Sequence, residues 1–592
     1  MECVGIALGC VLVACGGDDA EVGDSSSESS SSNGPSSDPT IEPTVGSADS
    51  SSSSSSSSSS TSESSDSGDE SSTGEPGTGS ARLIVRARTG NYELVDLQLR
   101  EYADGVLTDA VSLVPELPAG GGIGGFSVDE ATDRLVYCTQ QPPELGRPCF
   151  VREPLLDPRA PAQAFAGDDL SAPFASSTPA WIAPAERYFF RAAPTDGSAG
   201  ASLFRATYEA GVLGESEALV ASPPGNDIDL NAYHVSPDGA TVTYIAGPDD
   251  GPQNAYVVEL AADLPAVATA ISDVGAEQRA RSPGFLHAKH AAIYGIAGAA
   301  VVDPNVSYWL VDLDAPLAPG VRIDDPSNPE LERAHLQSAF DDHALVYWTG
   351  DGLFGDLWFV ELDGLAPQLP LAINTLGAGE AFTTDFGWSP DSRWLVYVAQ
   401  HEQPDTRDLY LVDASGASPS APIAATTLEL GGSVSTSRFD AASHWLYFVG
   451  PQDGEYDEIF RIDVSGSEPG APQKVNAPFD GPGAASGELT FSADGSQLLY
   501  SGFEGAEGTL GIWVVDIAGD EPGVPLRIDT PSQRGFEASY GASFSPDGSV
   551  VVYHERGLEP DDPSPLRLVD LSAPAHPIEL SPDSFGAVFL DG

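Results

Sequence analysis

Basic residues are what this chain has least of. Its 592 residues carry 25 Lys and Arg against 89 Asp and Glu, a formal net charge of −64, and Lys289 and Lys474 are its only lysines. A surface of that sign repels phosphate backbones, which excludes a nucleic-acid partner, and two lysines cannot form the basic patch that anionic lipid requires. Long apolar runs are also missing: Val4 to Ala14 is about eleven residues, against the roughly 20 needed to span a bilayer. No G-x-S-x-G nucleophile elbow and no D-x-D-x-D-G calcium loop occurs. Helical periodicity is absent, and cysteines number only five. The acidity is not confined to one end. Between Gly16 and Ser80 there are 13 acids and no base, and from Ala81 onward 75 acids face all 25 bases. Hydrophobic residues still make up 41% of the chain, enough for a sizeable core.

The apolar run reads as the h-region of an export signal, residues 1–14. It ends in Leu12-Val13-Ala14-Cys15, which resembles the lipobox of bacterial lipoproteins. The resemblance implies that Cys15 is acylated and becomes the mature N-terminus. It also implies outer-membrane sorting, because Gly16 rather than Asp follows the cysteine. Residues 15–80 are chiefly Ser, Gly, Asp, Glu, Thr and Pro, with an unbroken Ser50 to Ser60 and almost no apolar residue, the composition of a disordered linker. At about 5 to 6 Å times the square root of length, such a tether reaches about 45 Å, further if its acids repel. Once Cys3 and Cys10 leave with the signal and Cys15 is lipidated, only Cys138 and Cys149 remain. Both flank a Pro-Pro and Gly loop in YCTQQPPELGRPCFV, so a hairpin that pairs them in a disulfide is expected.

The remainder, residues 81–592, is repetitive. FSVDEATDRLVY at 126, VSPDGATVTY at 235, WSPDSRWLVY at 388, FSADGSQLLY at 491 and FSPDGSVVVY at 544 share one pattern. Degenerate copies start at Trp181, Phe285, Phe340 and Phe439. Ser-Pro-Asp-Gly places Pro where a turn fixes φ and Gly where φ is positive, and a β-branched, aromatic strand follows. About 20 residues on comes a third strand such as YWLVDL, LWFVEL or IWVVDI, and short pieces such as VRID and LRID complete a fourth. Four-stranded units of about 50 residues are the signature of a β-propeller. The openings resemble the WD-like repeats of TolB-type propellers, which implies an all-β fold of about ten blades in one large ring or two smaller ones. RLIVRA and YELVDLQL at the start lack an opening, and SFGAVFLDG at the end looks like a lone first strand, so the two ends are expected to share a blade.

Chemistry is harder to find. His287 and His290, three apart, would point to opposite faces of a strand and are read as ordinary strand and turn histidines, not as metal ligands. The acidic pairs Asp249-Asp250, Asp324-Asp325, Asp341-Asp342 and Asp561-Asp562 could offer oxygen ligands to calcium but read as solvated surface. Glu259, Asp312, Glu361, Asp413, Asp463, Asp516 and Asp570 recur once per repeat, which marks them as strand caps and not as a catalytic pair. Trp309, Trp358, Trp388, Trp394, Trp445 and Trp513 likewise sit at repeat positions and are expected in the core between blades. No catalytic residue, metal ligand or cofactor is assigned. The expected function is a noncatalytic, membrane-anchored envelope scaffold that binds a protein or polymer, with an enzyme or carbohydrate-binding protein using the axial channel as the alternative.

Overall fold

The computed structural model describes Gly79 to Leu590 apart from segments of the connecting loops. The signal, Cys15 and the Ser-rich tract lie outside the described residues. Among those described there is no helix, and the strands form ten antiparallel sheets of four principal strands each. Blade 1 combines the two ends of the chain: Ser584–Leu590 is its first strand, Ala81–Arg88 its second and Leu94–Ala103 its third. Blades 2 to 10 then follow in order at 122–164, 180–220, 227–270, 278–322, 332–372, 386–424, 436–474, 485–527 and 537–581.

Apolar clusters decide the ring count. One joins blades 1 and 2 through Ile84, Leu97 and Tyr137, the next joins 2 and 3 through Val151 and Phe190, and the series continues blade by blade. It ends where Val550, Val552 and Leu568 of blade 10 pack on Leu83 and Val85 of blade 1. Ten seams for ten blades make one closed ring. Two smaller rings would require a closing cluster partway along the chain, and every cluster instead joins consecutive blades.

Each sheet is covered on both faces, so second strands have no solvated face and several are apolar almost throughout. Trp394–Ala399 and Ala344–Gly350 are buried at every position, whereas fourth strands such as Val321–Arg322 and Leu526–Arg527 are two residues long and partly exposed. Aromatic pairs bridge second and third strands at equivalent positions: Tyr137–Phe150, Phe190–Phe204, Tyr244–Tyr256, Tyr397–Tyr410 and Phe448–Phe460, with centroids 5.4 to 5.7 Å apart. Trp394 and Trp388 lie in the seam cores, and Trp309, Trp358, Trp445 and Trp513 pack against them. In blade 6 the repeat is offset by one residue from its sequence reading. Ala339 takes the Ser place of the opening, and Phe340, at the Pro place, is 49% exposed. Cys138 and Cys149 are directly opposite in the strand register of blade 2, with their sulfurs 2.07 Å apart.

Antiparallel order fixes two faces. Links between first and second strands, and between third and fourth, emerge on one side, here called the turn face. Links between second and third strands, and from blade to blade, emerge on the other, the loop face.

Deleting 584–592 removes the first strand of blade 1 and bares its edge. The expected result is a sharp fall in soluble yield and, in any protein recovered, loss of amide-exchange protection in Ala81–Arg88. A double Cys138→Ala, Cys149→Ala variant should lose about 2 to 3 kcal/mol, read by urea unfolding, with the loss of exchange protection concentrated in blade 2.

Candidate functional site

The turn face carries the repeated chemistry, and it is built from the opening motif. In blade 7 the Ser389 hydroxyl accepts from the Trp394 amide at 2.8 Å and donates to Asp391 at 2.6 Å, while Asp391 accepts from the Arg393 amide. Blades 4, 9 and 10 repeat the lock with Ser236 and Asp238, Ser492 and Asp494, and Ser545 and Asp547. The residue after the Asp must adopt positive φ, which Gly239, Gly495 and Gly548 do freely.

In blades 6, 7 and 8 that residue has a side chain, and the side chain reaches the preceding blade. Ser443 accepts from the amide of Asp391 at 2.9 Å, and Ser392 from the amide of Asp341 at 3.1 Å. Asp342 does more. Its carboxylate, fully buried, accepts from the amides of His287, Ala288 and Lys289 in blade 5, and Lys289 Nζ donates to the Asp342 carbonyl. A belt of turn-to-turn bonds thus runs across blades 5 to 8.

Two expectations need correcting here. His287 and His290 are not in a strand: they occupy the turn between Gln278–Phe285 and Ala291–Gly298, because Leu286 takes the Ser place of the opening. There His290 Nδ1 pairs with Asp314 at 2.8 Å and the His287 ring packs on Phe340. Nor are Asp324 and Asp342 solvated surface, since both are buried and hydrogen-bonded. Of the other pair members, Asp341 holds His343 Nδ1 at 2.6 Å, and Asp249, Asp250, Asp325, Asp561 and Asp562 lie outside the described residues.

The once-per-repeat acids behave as caps where they are aspartates. Asp312, Asp413, Asp463, Asp516 and Asp570 each accept from the amide two residues on, the reach of an Asx turn. Among the described residues, Asp570 alone of this set also bridges blades. Its second oxygen accepts from Tyr102 Oη at 3.0 Å and from the Gly79 amide at 3.2 Å, and burial together with that carboxylate pushes the Tyr102 hydroxyl up to about 12.

A second periodic set escaped the sequence reading. Ser272, Asp324, Asn374, Thr426, Asn476 and Asp529 follow the fourth strands, and each accepts the first free amide of its blade's third strand at 2.6 to 2.9 Å. Their spacing of about 50 residues was available as a signal in VRID, AIN, KVN and LRID, but short polar side chains of mixed type do not look like a motif until one amide is seen to require each of them. Arg322 and Arg527 brace the two aspartates of this set.

Cations are used the same way. Arg393 donates to the Ser465 and Gly466 carbonyls of blade 8, Arg461 to Ile517 and Gly519 of blade 9, and Arg205 to Leu260 of blade 4. Near the axis Gln337 and Arg438, at equivalent places in first strands, each donate to the first strand of the next blade, at Phe386 and Leu489. Lys474 is paired with Glu458. The turn face is therefore acidic but internally bonded. Ser465 holds the Asp463 carboxyl below the ordinary range, and the Ser496 amide with Ser492 does the same for Asp494. At Asp413 and Asp547 burial opposes the shift, and Ser415 with Arg393, or Ser545 with Ser549, outweighs it. No group of three or more His, Cys, Asp or Glu arranged to hold a metal ion occurs among the described residues.

No family model matches the chain, and no curated protein matches it. Among solved structures it is similar to a eukaryotic initiation factor at 10% identity and TM-score 0.47, covering 86% of this chain and 98% of that one. It is also similar to a prolyl endopeptidase at 17% identity and TM-score 0.33, covering 64% and 52%. Prolyl oligopeptidase B from Galerina marginata matches at 13% identity and TM-score 0.35, covering 67% and 55%. The chain thus spans about half the length of these two peptidases. At such identities and scores, fold and function rest on the chain's own residues.

Two substitutions separate the belt from backbone strain. Gly relieves positive φ at either site. Asp342→Gly should nonetheless destabilise by about 1 to 3 kcal/mol, because three amides lose a charged acceptor, whereas Ser392→Gly should be close to neutral in the same urea titration. A carboxylate held below its unfolded value stabilises the fold above pH about 4, and that contribution is lost as pH falls through the folded value. Acid unfolding followed by circular dichroism should therefore begin only below about pH 4, and Asp463→Asn with Asp494→Asn should flatten that dependence.

Proposed function

We propose that this protein is a noncatalytic, lipid-anchored envelope scaffold whose ten-bladed propeller presents a face to a partner protein. One observation carries the reading: the repeated carboxylates, arginines and serines of the turn face are engaged in capping turns and joining blades, as Asp413, Arg393 and Ser443 illustrate. Groups held this way form a fixed surface and are not poised for proton transfer. The channel-enzyme alternative gains nothing from Gln337 and Arg438, whose donors go to the neighbouring blade.

The anchor reading rests on the Leu12-Val13-Ala14-Cys15 sequence and the linker behind it. Gly79 bonds Asp570 at the turn-face end of a third strand, so the polypeptide enters the propeller on that face. A tether of about 65 residues gives the domain a radius of action and concentrates it at the membrane. Cys15→Ser should move the protein from the membrane fraction to the soluble one while the fold stays intact by circular dichroism. A mutant that stays membrane-bound would sink the anchor, and affinity capture of the crosslinked wild type without any stoichiometric partner would sink the scaffold.

A further inference from the structure

The residue that follows the Gly place of the opening turn has a fixed position in the ring. Its carbonyl accepts from the amide just after the capping acid of its own blade. In blades 5 to 8 these pairs are His290 with Leu313, His343 with Leu362, Arg393 with Ala414 and His444 with Val464, and in blades 4, 9 and 10 they are Ala240 with Leu260, Ser496 with Ile517 and Ser549 with Leu571. Four consecutive blades thus carry a basic side chain at one place, in a folded part that holds 25 bases against 75 acids. Three of the four are histidine.

Arg393 shows what that place can do. Its guanidinium pairs with Asp413 of its own blade at 3.3 Å and donates to the Ser465 and Gly466 carbonyls of blade 8. His343 does the same with a ring. Its Nδ1 meets an Asp341 carboxylate oxygen at 2.6 Å, and its Nε2 meets the Ala414 carbonyl of blade 7 at 2.8 Å. Phe359 and Trp388 flank the imidazole at 6.5 and 5.7 Å and leave it 26% exposed. Among the described residues His290 and His444 make no such bridge: His290 pairs with Asp314 of its own blade, and His444 lies beside Asp463.

A carbonyl and a carboxylate are both acceptors, so each nitrogen of His343 donates, and only the imidazolium has two N–H groups. Burial works against ionising Asp341, but the bond from His343 and its charge outweigh burial and hold the carboxyl below the ordinary range. The proton of that bond therefore belongs to the ring. Other charged groups on the elements packed around His343 are engaged elsewhere: Asp342 with the blade 5 amides and Lys289, Arg393 with Asp413, and Asp391 with Ser389 and the Arg393 amide. Glu361 and Asp363 lie further along the strand that carries Phe359.

A neutral ring keeps one N–H. The bond to the carboxylate is the stronger, so the proton given up is the one on Nε2, and a lone pair then faces the Ala414 carbonyl. We propose that His343 is a proton-operated latch on the turn face, closed across blades 6 and 7 while the ring carries both protons and open once the Nε2 proton passes to solvent. Its contribution to stability is present at lower pH and is lost as pH rises, because the closed latch needs the proton. The inference goes beyond the scaffold reading and does not depend on it.

The test uses the purified full chain with 15N-labelled histidine, in which long-range proton–nitrogen spectra report which ring nitrogens are protonated. The His343 signals are assigned by their absence in His343→Arg. Between about pH 5.5 and about pH 8.5, either side of ordinary histidine titration, they should pass from two protonated nitrogens to a ring protonated at Nδ1 alone. Amide exchange, corrected for its intrinsic rate, reads the seam. Protection of the Asp341 amide, which donates to Ser392 of blade 7, should fall by about tenfold over that range. The Asp391 amide, held by Ser443 where Arg393 spans the next seam, should keep its protection. His343→Arg, whose charge does not titrate, should remove the pH dependence at Asp341, and His343→Gln should show the alkaline level throughout. A ring already neutral at the acid end, a ring that keeps its Nε2 proton at the alkaline end, or the wild-type pH dependence of Asp341 persisting in His343→Gln overturns the latch.

Discussion

No blade of this protein can exist alone. A four-stranded sheet whose second strand is apolar at every position, as Trp394–Ala399 is, must be covered on both faces. Each blade therefore depends on two neighbours, and the dependence is satisfied only if the array closes. Closure comes from joining the chain ends in one sheet, with Ser584–Leu590 against Ala81–Arg88, and from Asp570, whose second oxygen ties blade 10 to Tyr102 of blade 1. Among the described residues, Asp570 is the only member of its repeated series that reaches into another blade, through Tyr102 and Gly79 where the chain ends meet.

The charge of the folded part sets a second condition. Seventy-five acids against 25 bases would repel one another strongly in a compact body. Many turn-face carboxylates are held by the amides and hydroxyls of their own turns, which favours the ionised form without a basic partner. Several of the few cations have a second use. Arg393, Arg461 and Arg205 sit across seams and donate to backbone carbonyls, so they join blades, and Arg393 and Arg205 also pair with Asp413 and Glu217 of their own blades.

Much of the architecture was legible because it repeats. Ser-Pro-Asp-Gly at 236 and 545 could be read as a turn on its own, and nine such openings read together meant a propeller. Degenerate copies were less clear. Phe340 looked like the aromatic of an opening, but the strand pairing puts Ala339 in the Ser place, and His287 and His290 fell in a turn that lacks the motif. Asp342 looked like one acid of a surface pair and is instead the most deeply bonded carboxylate of the belt, since its acceptors face a turn 53 to 55 residues earlier. Polar caps such as Asn374 and Thr426 share a role but not a residue type, so periodicity of identity could not reveal them.

By itself the sequence determined the strand pattern, the turn chemistry, the acidity and the pairing of the two chain ends, because each follows from local residue types or from their period. It could not decide between one ring and two, since the spacing of repeats is the same in both. That was settled by which apolar faces meet, and the ten seam clusters form a single cycle. Nor could it separate an arginine that bonds a neighbouring loop, such as Arg461, from one that pairs with an acid of its own blade, such as Arg134 with Glu153. The difference lies in which carbonyls and carboxylates come within reach of the guanidinium, and only the packing of one blade against the next decides that.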